Sequence, residues 1–119
     1  MSAFKYNLGV VGLGYVGLPL AVDAVSSGLS VVGYDISEEK NTLINNGESP
    51  IEDISNDDLK SALDNGFIAS SDETILADVE YIVISVPTPL TDYQPDLTYV
   101  KSAASSVGRN LRDGQVVIL

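Results

Sequence analysis

The feature that most constrains the fold of this chain is a set of three glycines directly after an apolar run. Residues 6–11 predict a buried strand, and Gly12, Gly14 and Gly17 follow in the pattern Gly-x-Gly-x-x-Gly. Gly12 permits a tight turn, Gly14 lets a phosphate approach the backbone, and Gly17 allows close packing of a helix on a sheet. We therefore expect an anion to bind at the start of the next helix. The alternative is a glycine turn that only packs the helix on the strand.

Strand and helix signals alternate along the rest of the chain. Apolar and β-branched runs predict five strands, at residues 6–11, 30–34, 67–69, 81–86 and 115–119. Caps and glycine stops predict helices at 19–27, from cap Ser37 to about 46, from cap Ser55 to near Gly66, shortly after Ser71, and from cap Asp96 over about 97–111. Ser55 with Asp58 resembles a capping box.

This alternation predicts the fold class. We expect an α/β, Rossmann-type doubly wound parallel sheet of five strands in the order 3-2-1-4-5, formed by residues 1–119 as one domain. A complete dinucleotide domain has six strands, so we expect this one to be incomplete at its C-terminal end.

Asp35 lies at the end of the second predicted strand, 18 residues after Gly17. An acidic residue at about this spacing binds the adenosine ribose hydroxyls of NAD and repels the 2′-phosphate of NADP. The next residue is Ile36 rather than an arginine, which also favours NAD. Asp35 has the alternative role of starting the following helix. Lys40 either approaches the adenosine side of the site or is an ordinary solvated lysine.

Composition excludes several classes of function. The 119 residues include 17 acidic and 6 basic side chains, a net charge of −11, which argues against nucleic acid and against an anionic membrane surface as partners. The chain has no Cys and no His, so we expect no metal site and no catalytic residue in it. We expect no signal peptide, no membrane span and a cytoplasmic protein. Acidic residues crowd positions 38–80, either as a solvated surface or as a docking face for a basic partner.

Five segments carry a resemblance to a known family. Residues 11–20 (Val-Gly-Leu-Gly-Tyr-Val-Gly-Leu-Pro-Leu) closely resemble the opening of the nucleotide-sugar dehydrogenases, the UDP-glucose/GDP-mannose dehydrogenase family. The matching segments that follow are 47–52, 85–89 (Ser-Val-Pro-Thr-Pro), 95–100 (Pro-Asp-Leu-Thr-Tyr-Val) and 115–119. The segments at 85–89 and 95–100 are more similar to the branch that oxidises UDP-N-acetyl-hexosamines than to the branch acting on UDP-glucose.

The resemblance implies a reaction and a set of cofactor-binding residues. Similar enzymes oxidise the C6 hydroxymethyl group of a nucleotide sugar to a carboxylate with two NAD, through a thiohemiacetal or thioester on a cysteine. By position, Gly12, Gly14 and Gly17 match the pyrophosphate loop, and the backbone of Tyr15 and Val16 matches positions that touch the dinucleotide. Asp35 matches the ribose-binding acid. The Tyr15 hydroxyl either points into the site or covers the first helix.

The resemblance also assigns the end of the fourth predicted strand. Thr88, which follows Pro87, matches a threonine that approaches the nicotinamide. Pro87, Thr88 and Pro89 have the alternative role of ending a strand in a turn.

The chain departs from the family at its end. The family continues with Glu-Ser-Thr, and its catalytic cysteine, lysine and asparagine, its substrate domain and its dimerisation helix lie further on. The resemblance therefore implies the N-terminal part of a longer enzyme that acts on a UDP-sugar as a homodimer. We expect the 119 residues alone to bind NAD without turnover, with an uncovered sheet face that is prone to self-association.

Three other functions remain open on the residues. One is a methyltransferase part using S-adenosylmethionine, which is disfavoured because Val10 and Val11 precede Gly12 where an acidic residue is usual. The others are a free-standing NAD(H)-binding module and another dehydrogenase, such as a hydroxyacid type, with the same N-terminal fold.

Overall fold

The computed structural model describes residues 4–119 and contains seven strands within them. In chain order the strands are β1 (Tyr6–Val11), β2 (Val31–Tyr34), β3 (Ile68–Ser70), β4 (Val79–Ile84), β5 (Leu90–Thr91), β6 (Gln94–Pro95) and β7 (Val116–Ile118). The helices are α1 (Gly17–Ser26), α2 (Glu38–Asn45), α3 (Asn56–Asp64) and α4 (Thr98–Arg109), with a 3-10 helix at Glu73–Asp78.

Five strands form one parallel sheet in the order β3-β2-β1-β4-β7. This confirms the predicted order, because β7 is the fifth predicted strand. β1 lies at the centre, paired with β2 on one side and β4 on the other. The glycine turn after β1 therefore opens where the chain crosses from one half of the sheet to the other, which is where ligands bind in such folds.

Both faces of the sheet are covered by helices. Along β1, Val10 belongs to the core under α1, α2 and α3, and Val11 belongs to the core under α4 and the 3-10 helix. On β2, Val31 belongs to the first of these cores and Val32 belongs to the second. Successive strand residues point to opposite faces, so burial on both faces requires the continuous apolar runs seen in the sequence.

Two of the predicted helix caps are present. The Ser37 Oγ accepts the Lys40 N–H at 3.2 Å and starts α2. The Ser55 Oγ accepts the Asp58 N–H at 3.1 Å and starts α3. Only this half of the predicted capping box is recorded among residues 4–119, since the shorter Asp58 carboxylate replaces the usual Glu.

Several predicted boundaries were wrong by a few residues. α1 begins at Gly17 rather than residue 19, because the Leu18 N–H already bonds to the Gly14 carbonyl at 3.1 Å. β4 spans 79–84 rather than 81–86, because Val79 pairs with Tyr6 and Val11 pairs with Ile84 at the other end. The helix predicted after Ser71 is the 3-10 helix, which is capped by the Asp72 carboxylate.

The segment between β4 and α4 differs most from expectation. Leu90–Thr91 and Gln94–Pro95 pair as a short antiparallel hairpin that the sequence did not indicate. Its turn residues Asp92 and Tyr93 both have positive φ, a conformation usually signalled by Gly or Asn. α4 then begins at Thr98, whose N–H donates to the Asp96 carboxylate at 2.9 Å.

Candidate functional site

The glycine turn after β1 packs tightly against the end of β4. Gly12 has a φ of +96°, and a Cβ added there would lie 2.8 Å from the Ser85 carbonyl oxygen. A Cβ added at Gly17 would overlap the Gly12 carbonyl oxygen. The Ser85 hydroxyl donates to that same oxygen at 3.0 Å. These contacts require glycine at both positions and fix where α1 begins.

Gly14, unlike Gly12 and Gly17, is not tightly packed, since a Cβ added there would meet nothing within 4 Å. Within residues 4–119, the backbone N–H groups of Gly14, Tyr15 and Val16 have no recorded acceptor, and no side chain caps α1. Free N–H groups at a helix N-terminus, together with the helix dipole, favour a bound anion. The backbone around Gly14 therefore leaves open space beside it, and its N–H groups have no recorded hydrogen-bond acceptor within residues 4–119.

Asp35 is buried at the end of β2, with 8% of its surface exposed. Its Oδ2 accepts the Leu13 N–H at 2.9 Å, and its Oδ1 accepts the Ser37 N–H at 2.9 Å. The carboxylate thus joins the glycine turn to the start of α2. A carboxylate has about four acceptor positions, so Asp35 can accept further donors.

Lys40 forms an ion pair with Asp35. Its Nζ lies 3.1 Å from Asp35 Oδ2, and its side chain is 33% exposed. Lys40 is therefore not simply a solvated lysine, because it is fixed on the carboxylate one helical turn after the Ser37 cap.

Two cavities adjoin at this edge of the sheet. The first, of about 310 Å³, lies between the end of β2 and α4, and is lined by Val11, Gly12, Tyr34, Asp35, Ile36, Ser37, Lys40, Val86, Pro87, Tyr99, Ser102, Ala103 and Ser106. The second, of about 680 Å³, lies over the glycine turn, and is lined by Leu13, Gly14, Tyr15, Val16, Leu20, Lys40, Pro50, Ile51, Val83, Ile84, Ser85, Val86 and Pro87. Lys40, Val86 and Pro87 border both, so the two cavities can hold one extended ligand.

Comparison with known proteins identifies this arrangement. Residues 6–119 match the model of the UDP-glucose/GDP-mannose dehydrogenase family, NAD binding domain. The chain belongs to this family. The family consists of dehydrogenases, and the cofactor of the domain is NAD.

Individual relatives agree with this assignment. The chain is 41% identical over 116 residues to the UDP-N-acetyl-D-mannosamine dehydrogenase of Escherichia coli (strain K12), covering 95% of this chain and 27% of the relative. It resembles a solved UDP-D-ManNAc dehydrogenase from Pyrococcus horikoshii with a TM-score of 0.87 and 37% identity, over 93% of this chain and 27% of the other. A GDP-mannose dehydrogenase from Pseudomonas aeruginosa, solved as a ternary complex, gives a TM-score of 0.87 and 30% identity over the same shares. The chain thus spans about a quarter of the length of these dehydrogenases.

The residues of this nucleotide-sugar dehydrogenase domain fit NAD. The open backbone at Gly14 and the free N–H groups beside it suit a pyrophosphate, because nothing in residues 4–119 fills that space. Asp35 lines the first cavity and keeps unused acceptor capacity for a ribose hydroxyl.

The structure brings most of the predicted site residues together. Gly12, Asp35, Lys40 and Pro87 line the first cavity, and Gly14, Tyr15, Val16, Lys40 and Pro87 line the second. Tyr15 lines the second cavity with 71% of its surface exposed. Gly17 lines neither cavity and instead packs on Gly12, and Thr88 is exposed and lines neither.

Sequence reasoning missed the wall that α4 contributes to the first cavity. Tyr99, Ser102 and Ser106 follow one another at helical spacing and line it together. That spacing was available in the sequence. The surface that this helix face packs against could not be predicted from the spacing, because the position of α4 over the end of β2 depends on the sheet order.

Within residues 4–119, no metal-binding cluster and no membrane-spanning helix accompanies the site. The described part of the chain, residues 4–119, holds no group of three or more His, Cys, Asp or Glu side chains placed to bind a metal ion. None of its helices combines the length and apolarity needed to cross a bilayer.

Proposed function

We propose that this chain is the NAD-binding part of a nucleotide-sugar 6-dehydrogenase, an enzyme that oxidises the C6 hydroxyl of a UDP-sugar to a carboxylate. The observation that carries the proposal is the pairing of an open glycine turn with a buried acid. The free N–H groups of Gly14, Tyr15 and Val16 lie at one cavity. Asp35 lines the adjoining cavity, and its partner Lys40 borders both.

The adenosine half of NAD fits the first cavity. Asp35 would accept a ribose hydroxyl at its remaining acceptor position, and the apolar side chains of Ile36 and Val86 would border the adenine ring. Lys40, held on Asp35, would be the nearest cation to the phosphates, since it borders both cavities. A buried carboxylate at this position disfavours the additional phosphate of NADP.

The pyrophosphate and the nicotinamide half fit the second cavity. The glycine turn would bind the pyrophosphate through backbone N–H groups and the positive end of the α1 dipole. The nicotinamide would extend towards the segment after β4, where Pro87 lines the cavity and Thr88 presents an exposed hydroxyl. Thr88 reaches the ring only if this segment moves towards the cavity.

The proposed reaction removes four electrons from the sugar. One C6 hydroxymethyl group, two NAD⁺ and one water give one carboxylate, two NADH and three protons. NAD supplies the hydride acceptor in each of the two steps. The chain has no Cys and no His, so a thioester route requires a cysteine outside these 119 residues, and this chain alone would bind NAD without turnover.

A UDP-N-acetyl-hexosamine is the proposed substrate class. Relatives named as UDP-N-acetyl-D-mannosamine dehydrogenases, at 36–41% identity, support this choice. So does the Val86-Pro87-Thr88-Pro89 segment, whose sequence resembles that branch.

Calorimetric titration of the protein with NAD and NADP tests the cofactor assignment. We expect NAD to bind more tightly than NADP by at least about tenfold, the effect of one charge-assisted hydrogen bond. Equal affinities would contradict the role given to Asp35, and absence of NAD binding would contradict the proposed function as a whole.

Turnover tests the second half of the proposal. The 119-residue chain, mixed with NAD and UDP-N-acetyl-D-mannosamine, is expected to produce no NADH. Production of NADH would show that the chain itself carries the catalytic groups.

A free-standing NAD(H)-binding module is the alternative function, and the absence of Cys and His from the chain is the observation that favours it. Sequencing the source gene past codon 119 separates the two. An open reading frame with a cysteine-containing segment further on supports the dehydrogenase, and a stop codon supports the binding module.

A further inference from the structure

Asn41 is an unusual residue for its place in the fold. It occupies the inner face of α2, where it and Ile44 are the two buried residues of that helix. Only 5% of Asn41 is exposed, and its Oδ1 has no hydrogen-bond partner. An apolar side chain would avoid the cost of burying an unpaired carbonyl oxygen. The amide therefore calls for an explanation other than packing.

The other end of the same amide makes a close contact with the candidate site. Asn41 Nδ2 donates to the backbone carbonyl oxygen of Asp35 at 2.8 Å. Within residues 4–119, this is the one recorded hydrogen bond to that carbonyl. Asp35 lies just beyond the end of β2, and its N–H still donates to the Ser70 carbonyl on β3 at 3.0 Å. Asn41 therefore fixes the other peptide group of Asp35, the one that leads towards Ser37.

The Asp35 side chain depends on that backbone position. Its two oxygens bond to N–H groups on either side of it in space, one from Leu13 in the glycine turn and one from Ser37 at the start of α2. Both distances are 2.9 Å, so a small rotation of the Asp35 backbone would lengthen at least one of them.

We propose that Asn41 is a positioning residue that holds the backbone of Asp35 through its amide and so keeps the Asp35 carboxylate aimed at the adenosine ribose. The effect on the ribose rests on the proposed function. The effect on the carboxylate does not, and it can be measured without a ligand.

The variant Asn41→Leu removes the donor and keeps a buried side chain of similar size. Asn45→Leu is the matched control, because Asn45 lies on the same helix and bonds through both its amide atoms to the backbone of Ala69 on β3. Both variants lose hydrogen bonds between α2 and the sheet, and only the first loses the bond to Asp35.

The ligand-free test is amide hydrogen exchange followed by NMR. We expect the Leu13 and Ser37 amides to exchange faster in Asn41→Leu than in Asn45→Leu, by roughly three- to a hundredfold, as for neighbouring residues that are energetically coupled. If Asn41→Leu does not fold, the smaller change Asn41→Ser is measured in its place. Equal exchange of both amides in the two α2 variants would overturn the proposal.

The second test is a double-mutant cycle that combines Asn41→Leu with Asp35→Asn and measures NAD affinity by titration. In the native background, Asn41→Leu is expected to weaken NAD binding by roughly three- to a hundredfold, the range expected for amide exchange. In the Asp35→Asn background, it is expected to have little effect on NAD binding. Independent losses in the two backgrounds would mean that Asn41 acts by general stabilisation, and would overturn the proposal. If the native protein binds no NAD, the proposed function fails, and the exchange measurement still decides the role of Asn41.

Discussion

The carboxylate of Asp35 accepts hydrogen bonds from three segments of the chain, namely Leu13 in the glycine turn, Ser37 before α2 and Lys40 within it. These bonds hold the turn and the second strand together before any ligand binds. A single side chain therefore serves both folding and, in the proposed function, recognition of the ribose.

Replacing this acid tests the double role. Asp35→Asn removes the charge and one acceptor oxygen while keeping the shape. We expect NAD affinity to fall roughly ten- to a hundredfold, because a hydrogen bond to a charged group contributes about 1.5–3 kcal/mol. The preference for NAD over NADP should shrink as well, as read by calorimetric titration with both.

Asp57→Asn is the control for that variant, since it removes an equal charge at an exposed position that lines neither cavity, and its NAD affinity should be unchanged. An unchanged NAD affinity in Asp35→Asn would refute the assignment of the ribose to this carboxylate.

Alanine substitutions at two glycines of the turn are expected to have opposite effects on stability and on NAD binding. Gly17→Ala places a methyl group on the Gly12 carbonyl, which is backbone and cannot move aside, so we expect a loss of about 1–3 kcal/mol in the free energy of unfolding. Gly14→Ala meets nothing within the protein, so its unfolding free energy should change by less than about 1 kcal/mol. NAD affinity should nevertheless fall in Gly14→Ala, because the methyl group enters the space proposed for the pyrophosphate.

Chemical denaturation and NAD titration of both variants provide the measurement. Unimpaired NAD binding in a stable Gly14→Ala protein would show that no phosphate approaches this backbone.

At the scale of elements, the C-terminal end of α4 is tied to the 3-10 helix that covers the same face of the sheet. Arg109 donates two hydrogen bonds to the Glu73 carboxylate at 2.8 and 2.9 Å, and Asn110 donates a third at 2.8 Å. Gln115 continues the connection by donating to the carbonyls of Leu76 and Val79. The wall that α4 adds to the first cavity is therefore positioned from its opposite end.

The Glu73 contact predicts a pH dependence of stability. Hydrogen bonds from Arg109 lower the pKa of the Glu73 carboxyl below its ordinary value, and Asn110 lowers it further. A lowered pKa in the folded state contributes stability that is fully present above the ordinary glutamate pKa of about 4.3 and is lost as the pH falls through the folded value. We expect the difference in melting temperature between the native protein and Glu73→Gln to be largest near neutral pH and to vanish in acid.

Melting curves from pH 7 down to pH 3 provide this measurement. Glu80→Gln is a suitable control, since no ion pair is recorded for Glu80 within the described residues 4–119. A difference that stays constant across the range would mean that the Glu73 charge does not stabilise α4.

Local signals explain which elements were predictable. The starts of α2 and α3 could be predicted from Ser37 and Ser55, because an N-cap side chain bonds to an N–H group two or three residues further along the chain. The hairpin of β5 and β6 was not predicted because Asp92 and Tyr93 carry no glycine signal for their positive φ values. The bond between the Asp96 N–H and the Pro89 carbonyl, at 2.6 Å, helps to close that hairpin instead.

At the scale of the whole molecule, the parallel sheet is fully covered near its centre and less so at β7. Val10, Val32 and Ile82 are entirely buried, whereas Val116, Val117 and Ile118 are each between 42% and 48% exposed. Within residues 4–119, β7 pairs with β4 on one side and with no strand on the other. An apolar strand at an open edge favours pairing with another chain.

We therefore expect the 119-residue chain to associate at high concentration. Val117→Lys should weaken this association, because a lysine on an edge strand opposes the approach of a second strand. Analytical ultracentrifugation across a concentration series provides the measurement. Tyr93→Lys is the matched control, since Tyr93 is 98% exposed but lies in the hairpin rather than on the sheet edge. A monomeric native chain at all concentrations would refute the prediction.

The sequence by itself determined the order of the five strands of the parallel sheet and of the helices between them, the glycine turn, and the acid that follows it at the end of β2. These features depend on neighbouring residues or on one supersecondary unit, so spacing and residue type were sufficient. Only the tertiary structure decided that Lys40 pairs with Asp35, that Leu13 and Asn41 also bond to Asp35, and that Tyr99 and Ser102 complete the first cavity. Those contacts depend on how a helix is rotated and where it lies over the sheet, which the packing of side chains distant in sequence sets.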